Sequence, residues 1–291
     1  MRIVVAGGSG FLGHPLMRSL RAAGHDITQL VRRPATQPGQ VTWDPAKPIR
    51  LPDDTAAVFN LCGANLGHRW TPSYKRELRD SRLGSTATLA RAVAAQGVPV
   101  LVNASGVTVY GDTGDREMTE RSAPADPSDF LIGLNIAWEA AAMAAKPQRV
   151  VLLRTGLPVD ADGGSLKPQL LPFRLGIGGK LGDGRQWVPW ISLDDWLRAA
   201  IFVLEHEIDG PVNMVGPTPV TNAEWTATLA KLLHRPAFFP VPKLGVRVLY
   251  GEYAMEGYRS MRVKPEVLLS QGFTYRHATL EAALLHALSS R

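Results

Sequence analysis

The 291-residue chain has one cysteine, Cys62, so no internal disulfide can form, and its apolar setting VFNLCGA suits a small buried side chain better than a nucleophile. Seven histidines and that cysteine show no metal-ligand spacing, and no metal is expected. No apolar run approaches the length of a membrane span. The first predicted strand begins at residue 2 or 3, leaving no room for a signal or transit peptide, so cytoplasmic residence without a membrane partner is the expectation. Basic residues exceed acidic ones by six, yet no basic run is longer than two and no nucleic-acid module is apparent. An anionic cofactor and a small-molecule substrate account for that charge more simply than nucleic acid does. There is no internal repeat.

With 45% hydrophobic and 20% charged residues, the composition is that of a globular chain with a large core. Its first motif is IVVAGGSGFLG over residues 3–13, a short apolar run ending in glycines, as a buried strand turning into a helix reads. Gly7, Gly10 and Gly13 satisfy GxxGxxG while Gly8, Gly10 and Gly13 satisfy GxGxxG. Either frame supplies a tight turn, close backbone approach to a pyrophosphate and helix–strand packing. A helix starting near Phe11 or Leu12 turns the backbone of Ser9 to Gly13 toward the phosphates, and Leu16, Met17 and Leu20 continue it at helical spacing to a stop at Gly24. A second strand, 27–31, ends in Arg32 and Arg33, where an acid would read a ribose 2′-hydroxyl; a guanidinium pair there suits a 2′-phosphate and implies NADP.

Further strands are predicted at 41–44, 57–61, 100–104, 149–153 and 212–215, with helices at 73–96 and 129–145 between them. This alternation argues for an α/β fold with a Rossmann-type doubly wound parallel sheet. Cys62, Gly63 and Ala64, after the fourth strand, are small enough for backbone to lie against a cofactor. Ser105 to Gly111 read as a loop, and the glycine-crowded stretch 160–189 as a mobile, substrate-side loop. Thr221 and Glu224 fit a capping box. A tail from about Pro240, with helices beginning near Pro265 and spanning 280–288, reads as a small lobe over the sheet's carboxyl edge. The division expected is an NADP-binding domain over 1–160 and a substrate-side part over 161–291, partly interleaved with it.

The GGSGFLG turn, the SGVTVYGD segment at 105–112 and the WISLDDW segment at 190–196 resemble the extended short-chain dehydrogenase/reductases, which include nucleotide-sugar epimerases and dehydratases. The runs NLCGANLGHRWT, DSRLGST, AWEAAA, LRTGLPVDADGGSL, GDGRQWVPWISLDD and GEYAMEGYRSMRVKPEVLLSQGFTY are similar to an atypical, epimerase-like subfamily with its own short C-terminal module. That resemblance spans nearly the whole chain and implies an NADP-binding Rossmann fold with epimerase-like or oxidoreductase activity.

Such enzymes use a Tyr-x-x-x-Lys pair on the helix after the fifth strand, but between Gly111 and Ala145 this chain has neither tyrosine nor lysine. Anchored on Glu139, the pair's positions fall on Leu131 and Asn135; Gly106 stands at the usual serine, and Arg82 where the superfamily tends to have asparagine. Asn135 can hold the nicotinamide ribose, without a charge. Tyr110 and Ser105 are left as candidate proton donor and carbonyl hydrogen-bond donor, against the alternatives of a packed ring and a strand-end serine bonding its own backbone. The resemblance offers Arg185 for a substrate diphosphate. Trp187 and Trp190 can line a pocket, with core packing open for at least one of them. His68, Arg69 and Trp70 form a further cluster near the cofactor edge. Two functions stay open: an NADPH-dependent reductase or epimerase-like enzyme, and a cofactor-binding protein without turnover that senses NADPH or meets a partner.

Overall fold

A computed structural model of the chain describes residues 1–146, 148–237, 240–241, 246 and 251–289; of the tail expected from Pro240, residues 242–245, 247–250 and 290–291 lie outside the described residues. Thirteen strands are described: β1 (Arg2–Ala6), β2 (Asp26–Val31), β3 (Gln40–Thr42), β4 (Thr55–Asn60), β5 (Val100–Gly106), β6 (Glu117–Met118), β7 (Arg149–Thr155), β8 (Leu157–Val159), β9 (Trp187–Val188), β10 (Trp190–Ser192), β11 (Gly210–Met214), β12 (Val220–Thr221) and β13 (Arg262–Val263). The helices are α1 (Gly13–Ala22), α2 (Pro72–Gln96), α3 (Phe130–Met143), α4 (Lys167–Arg174), α5 (Leu193–Glu205), α6 (Asn222–Leu233), α7 (Glu266–Ser270) and α8 (Leu280–Ser289).

Seven parallel strands form one sheet in the order β3-β2-β1-β4-β5-β7-β11. The order reverses between β1 and β4, which opens a crevice at the carboxyl ends of these two strands. Alternation along β1 sends Ile3 and Val5 into a core shared with α1 and α5, and Val4 and Ala6 into a second core shared with α2 on the other face. Residues buried on both faces read as an unbroken apolar run, which is why β1 stands out in the sequence.

Local chemistry sets the helix boundaries. Thr71 caps α2 by accepting from Tyr74 N–H, Pro72 occupies its first turn, and Gly97 ends it in the left-handed region at φ +63°. Asp129 caps α3 through Leu131 and Ile132 N–H, and the Thr221–Glu224 capping box opens α6.

Two regions depart from expectation. The stretch 160–189 contains α4 and β9, and some of its glycines are close packing contacts: a Cβ on Gly163 would lie 2.2 Å from the Phe11 ring, and one on Gly178 2.5 Å from Phe173. Glycine content signals close approach as readily as mobility. Residues 105–111 are likewise ordered, β5 running to Gly106 and a 3-10 turn following over Val107–Tyr110. Residues 210–214 add β11 to the edge of the main sheet, beside β7. A separate cluster of Val159, Leu170, Trp190, Trp225, Leu229 and Leu284 forms the core beneath α4, α6 and α8.

Candidate functional site

At the phosphate end of the crevice the structure selects one glycine frame. Gly7 has φ +79°, and a Cβ there would lie 2.5 Å from the Leu61 carbonyl carbon of the neighbouring strand's exit. A Cβ on Gly13 would meet the Gly7 carbonyl oxygen at 2.3 Å, whereas one on Gly10 meets only that oxygen, at 3.3 Å. The 7-10-13 spacing therefore divides into turn, open cradle and helix packing. Leu12 precedes α1 without a side-chain cap, and the first turn has no acid; His14 N–H is spent on Gly10 O and Pro15 has none, so Gly13 N–H and the dipole are what the helix offers an anion. Ser9, Gly10 and Phe11 are exposed there and Leu12 half-buried. A pyrophosphate fits a cradle that any side chain at residue 10 would fill.

Arg32 and Arg33 follow β2 and are both exposed. Arg33 Nη1 donates to Thr36 Oγ1 at 3.5 Å, whereas Arg32 donates no hydrogen bond among the described residues and lies near enough to Cys62 to pull against the rise of its thiol pKa. Burial nonetheless pushes that thiol up to about 11, which suits the packing role expected of Cys62. The Cys62–Gly63–Ala64 segment is held from α2, Ser81 Oγ accepting from Ala64 N–H at 3.0 Å and Arg82 Nη2 donating to Ala64 O at 3.1 Å.

At the other end, burial alternates from β5 into the turn after it as far as Val109. Ser105, Val107, Val109 and Tyr110 are buried, while Gly106 and Thr108 are half-buried. Asn135 Nδ2 of α3 donates to Thr108 Oγ1, and a Cβ on Gly106 would touch both side chains, 3.2 Å from Thr108 Oγ1 and 3.4 Å from Asn135 Nδ2. Gly106, Thr108 and Asn135 thus form the polar group at the end of β5. Leu131, one turn earlier on α3, packs among Trp70, Leu78 and Leu134.

Tyr110 and Ser105 point the other way. Arg154 Nη1 donates to the Tyr110 hydroxyl at 2.8 Å and that hydroxyl donates to Asn213 Oδ1 at 2.8 Å, so both are spent internally; burial also pushes its pKa up. Ser105 Oγ donates to Glu139 Oε1 at 2.7 Å, and Arg154 makes a two-pronged pair with the same carboxylate, from Nε and Nη2, each at 2.8 Å. Side chains in this pair are 6% and 11% exposed, so the bond lies in the interior. Ser105 and Tyr110 thus bond into the interior at the two ends of a turn whose middle carries half-buried Thr108. A residue count from Tyr110 finds the motif but not which side of the turn each hydroxyl takes. The strand's two-residue alternation carries that signal for Ser105, whereas Tyr110, on the 3-10 turn beside buried Val109, breaks it.

The expected substrate contacts separate. Trp190 is 1% exposed, donates to Thr218 O at 3.0 Å and belongs to the core beneath α6 and α8; it does not line a pocket, because β10 turns its ring inward. Trp187 is half-buried, donates to Asp115 Oδ1 at 2.9 Å and lies under the Arg262 guanidinium. Arg185 is exposed on the loop before it. Trp70 joins Phe130 and Tyr253 in an aromatic group, and Gly251 packs on Arg69, so this cluster is a seat for the tail. Arg259 of the tail ion-pairs with Asp129, the cap of α3. No group of metal-binding side chains occurs among the described residues, and no described helix is long and apolar enough to cross a membrane.

A glycine cradle at the switch point of a doubly wound sheet, with arginine at the end of β2, defines the dinucleotide-binding class of α/β proteins. Residues 3–132 match the NAD dependent epimerase/dehydratase family, and residues 241–287 match a domain of unknown function, DUF1731. Epimerase family protein Mb2239 of Mycobacterium bovis is 40% identical over 98% of this chain and 97% of its own length. Human epimerase family protein SDR39U1 (isoform 2), solved with NADPH, superposes with a TM-score of 0.91 at 36% identity, over 99% of this chain and 100% of that one. MoeE5, in complex with UDP-glucuronic acid and NAD, shares the fold at 22% identity and a TM-score of 0.74. The chain belongs to the NAD-dependent epimerase/dehydratase family and has the Rossmann-like fold of its members.

Proposed function

We propose that this protein binds NADP(H) and works as an epimerase-like oxidoreductase on a small carbonyl or sugar-like substrate, without a Tyr-x-x-x-Lys pair. The observation that carries the cofactor is the open cradle at Gly10 beneath uncapped α1, together with Arg32 at the end of β2. The NADPH held by the human relative supports it. Backbone N–H groups of residues 9 and 11–13 hold the pyrophosphate, that of Gly10 being spent on Gly7 O, Arg32 takes the 2′-phosphate, and the 62–64 segment lies against the dinucleotide. When bound, the cofactor supplies or accepts a hydride.

Thr108 and Asn135 handle the substrate oxygen. Thr108 Oγ accepts from Asn135 Nδ2, which leaves its own O–H to donate to a carbonyl, while Asn135 fixes where that hydroxyl sits. A hydroxyl polarises and orients the oxygen, and the proton that finally joins it reaches it from solvent through the same contact. Burial of Leu131, in the place of the usual tyrosine, favours a second reading in which the cofactor is bound without turnover.

Single-turnover oxidation of bound NADPH across aldehydes, ketones and quinones decides between them. Oxidation that slows on Thr108→Val supports the oxidoreductase; no oxidation by any of these classes, with NADPH still bound, supports the binding protein.

A further inference from the structure

Arg82 helps to hold the 62–64 segment through Ala64 O, but its charge is used by neither the fold nor the clamp. It is 6% exposed, and it donates only to carbonyls, to Leu78 O and Ala64 O, each at 3.1 Å. Among the described residues it has no carboxylate partner, in contrast to Arg154, whose pairing with Glu139 neutralises it. Its guanidinium lies 5.1 Å from the centre of the Trp138 ring, and a Cβ on Gly63 would come within 3.0 Å of its Cζ. Burial lowers its pKa to about 10, so it is charged at neutral pH. An interior charge without a counter-ion is costly, and its field is weakly screened.

Its position along the crevice is fixed by its neighbours. Gly63 and Ala64 follow β4, and Trp138 lies one turn beyond Asn135 on α3, the side chain that meets Thr108 at the end of β5. Arg32 marks the adenosine end, at β2, on the far side of β1. Arg82 therefore stands at the β4–β5 side, where a dinucleotide crossing the switch point places its nicotinamide. Enclosed by Gly63, two carbonyls and an indole, it acts through its field more than through contact.

We infer that Arg82 makes this a site for the reduced cofactor, its buried charge disfavouring the cationic ring of NADP⁺ relative to the neutral ring of NADPH. The inference rests on the NADP(H) reading above. A tenfold preference for the reduced form raises the potential of the bound couple by about 30 mV, since the affinity ratio and the potential are linked.

The test is calorimetric titration of the full chain with NADPH, NADP⁺ and 2′,5′-ADP, the last reporting the adenosine end alone. The unmodified protein is expected to bind NADPH at least tenfold more tightly than NADP⁺. Arg82→Met brings the two within about twofold while 2′,5′-ADP binding stays unchanged, and Arg82→Lys, which keeps the charge, retains most of the preference. Equal affinity for the two forms in the unmodified protein overturns the inference, as does an Arg82→Met variant that keeps the ratio or loses both forms equally. Should Arg82→Met fail to fold, the unmodified ratio and Arg82→Lys still decide. Failure of the unmodified protein to bind 2′,5′-ADP is a different result, and it sinks the NADP(H) reading instead.

Discussion

The two ends of the crevice are built from different materials. At β1 and β2 the site is backbone: glycines at 7, 10 and 13, free N–H groups and an exposed arginine, with little packed behind Gly10. At β5 and α3 the site is side chain: Thr108 and Asn135 stand on a turn clamped by the buried Ser105–Glu139–Arg154–Tyr110 chain, which continues through Asn213 to the tail, where Lys264 O accepts from Asn213 Nδ2. A backbone site tolerates change around it and fails only when its space is filled. A side-chain site depends on every link that holds it.

That contrast predicts its largest effect at the clamp. Glu139→Ala leaves Arg154 buried without its carboxylate partner and should destabilise the fold by about 3–5 kcal/mol in denaturant unfolding. A loss below about 1 kcal/mol would show that the pair bears little of the turn. At the other end Gly10→Val should keep the midpoint of unfolding and lower NADPH affinity at least a hundredfold, about 2.7 kcal/mol, because its side chain enters the cradle and not the core. Gly13→Val should do the reverse and damage folding first, its Cβ falling against the Gly7 carbonyl.

Within the β5 turn, Thr108→Val should lower single-turnover NADPH oxidation about a hundredfold at unchanged NADPH affinity, the scale of a lost catalytic proton contact. Tyr110→Phe should cost about 1–3 kcal/mol of stability by leaving Arg154 and Asn213 short of a partner, with oxidation per folded molecule unchanged. If Tyr110→Phe abolishes oxidation and Thr108→Val does not, the two residues have been given each other's roles.

The tail offers a smaller, pH-dependent effect. Burial raises the Glu256 carboxyl to about 7 against the pull of Arg259, so the folded protein keeps a proton that the unfolded chain loses near the usual carboxylate range. Stability attributable to this group should fall as pH rises from about 5 to 7, by at most about 1.4 kcal/mol per unit, and level off above that. Glu256→Gln should remove the slope; an unmodified protein without one shows the carboxyl ionised throughout.

How much of this the sequence discloses follows the same division. The phosphate end is legible because glycine spacing and a doubly buried strand are local signals, and only the choice between the 7-10-13 and 8-10-13 frames needed a backbone angle. The β5 end is legible as a motif, SGVTVYGD, but its working parts depend on partners 34 to 103 residues away, Glu139, Arg154 and Asn213 among them, which no local pattern announces. Trp187 and Trp190 are three residues apart yet one reaches Asp115 and the other the α6 core, a separation set by tertiary packing. The close packing of Gly163 and Gly164 is hidden for the same reason, because the Phe11 ring that fills the space beside them is about 150 residues away in sequence.

The central claim is that the backbone end holds a phosphorylated dinucleotide through Arg32. Calorimetric titration of the unmodified protein and of Arg32→Ala with NADPH and NADH tests it most directly. The account predicts that NADPH binds at least tenfold more tightly than NADH, and that Arg32→Ala removes most of the difference, about 1.5–3 kcal/mol, by weakening NADPH alone. Equal affinity for the two cofactors in the unmodified protein would contradict it.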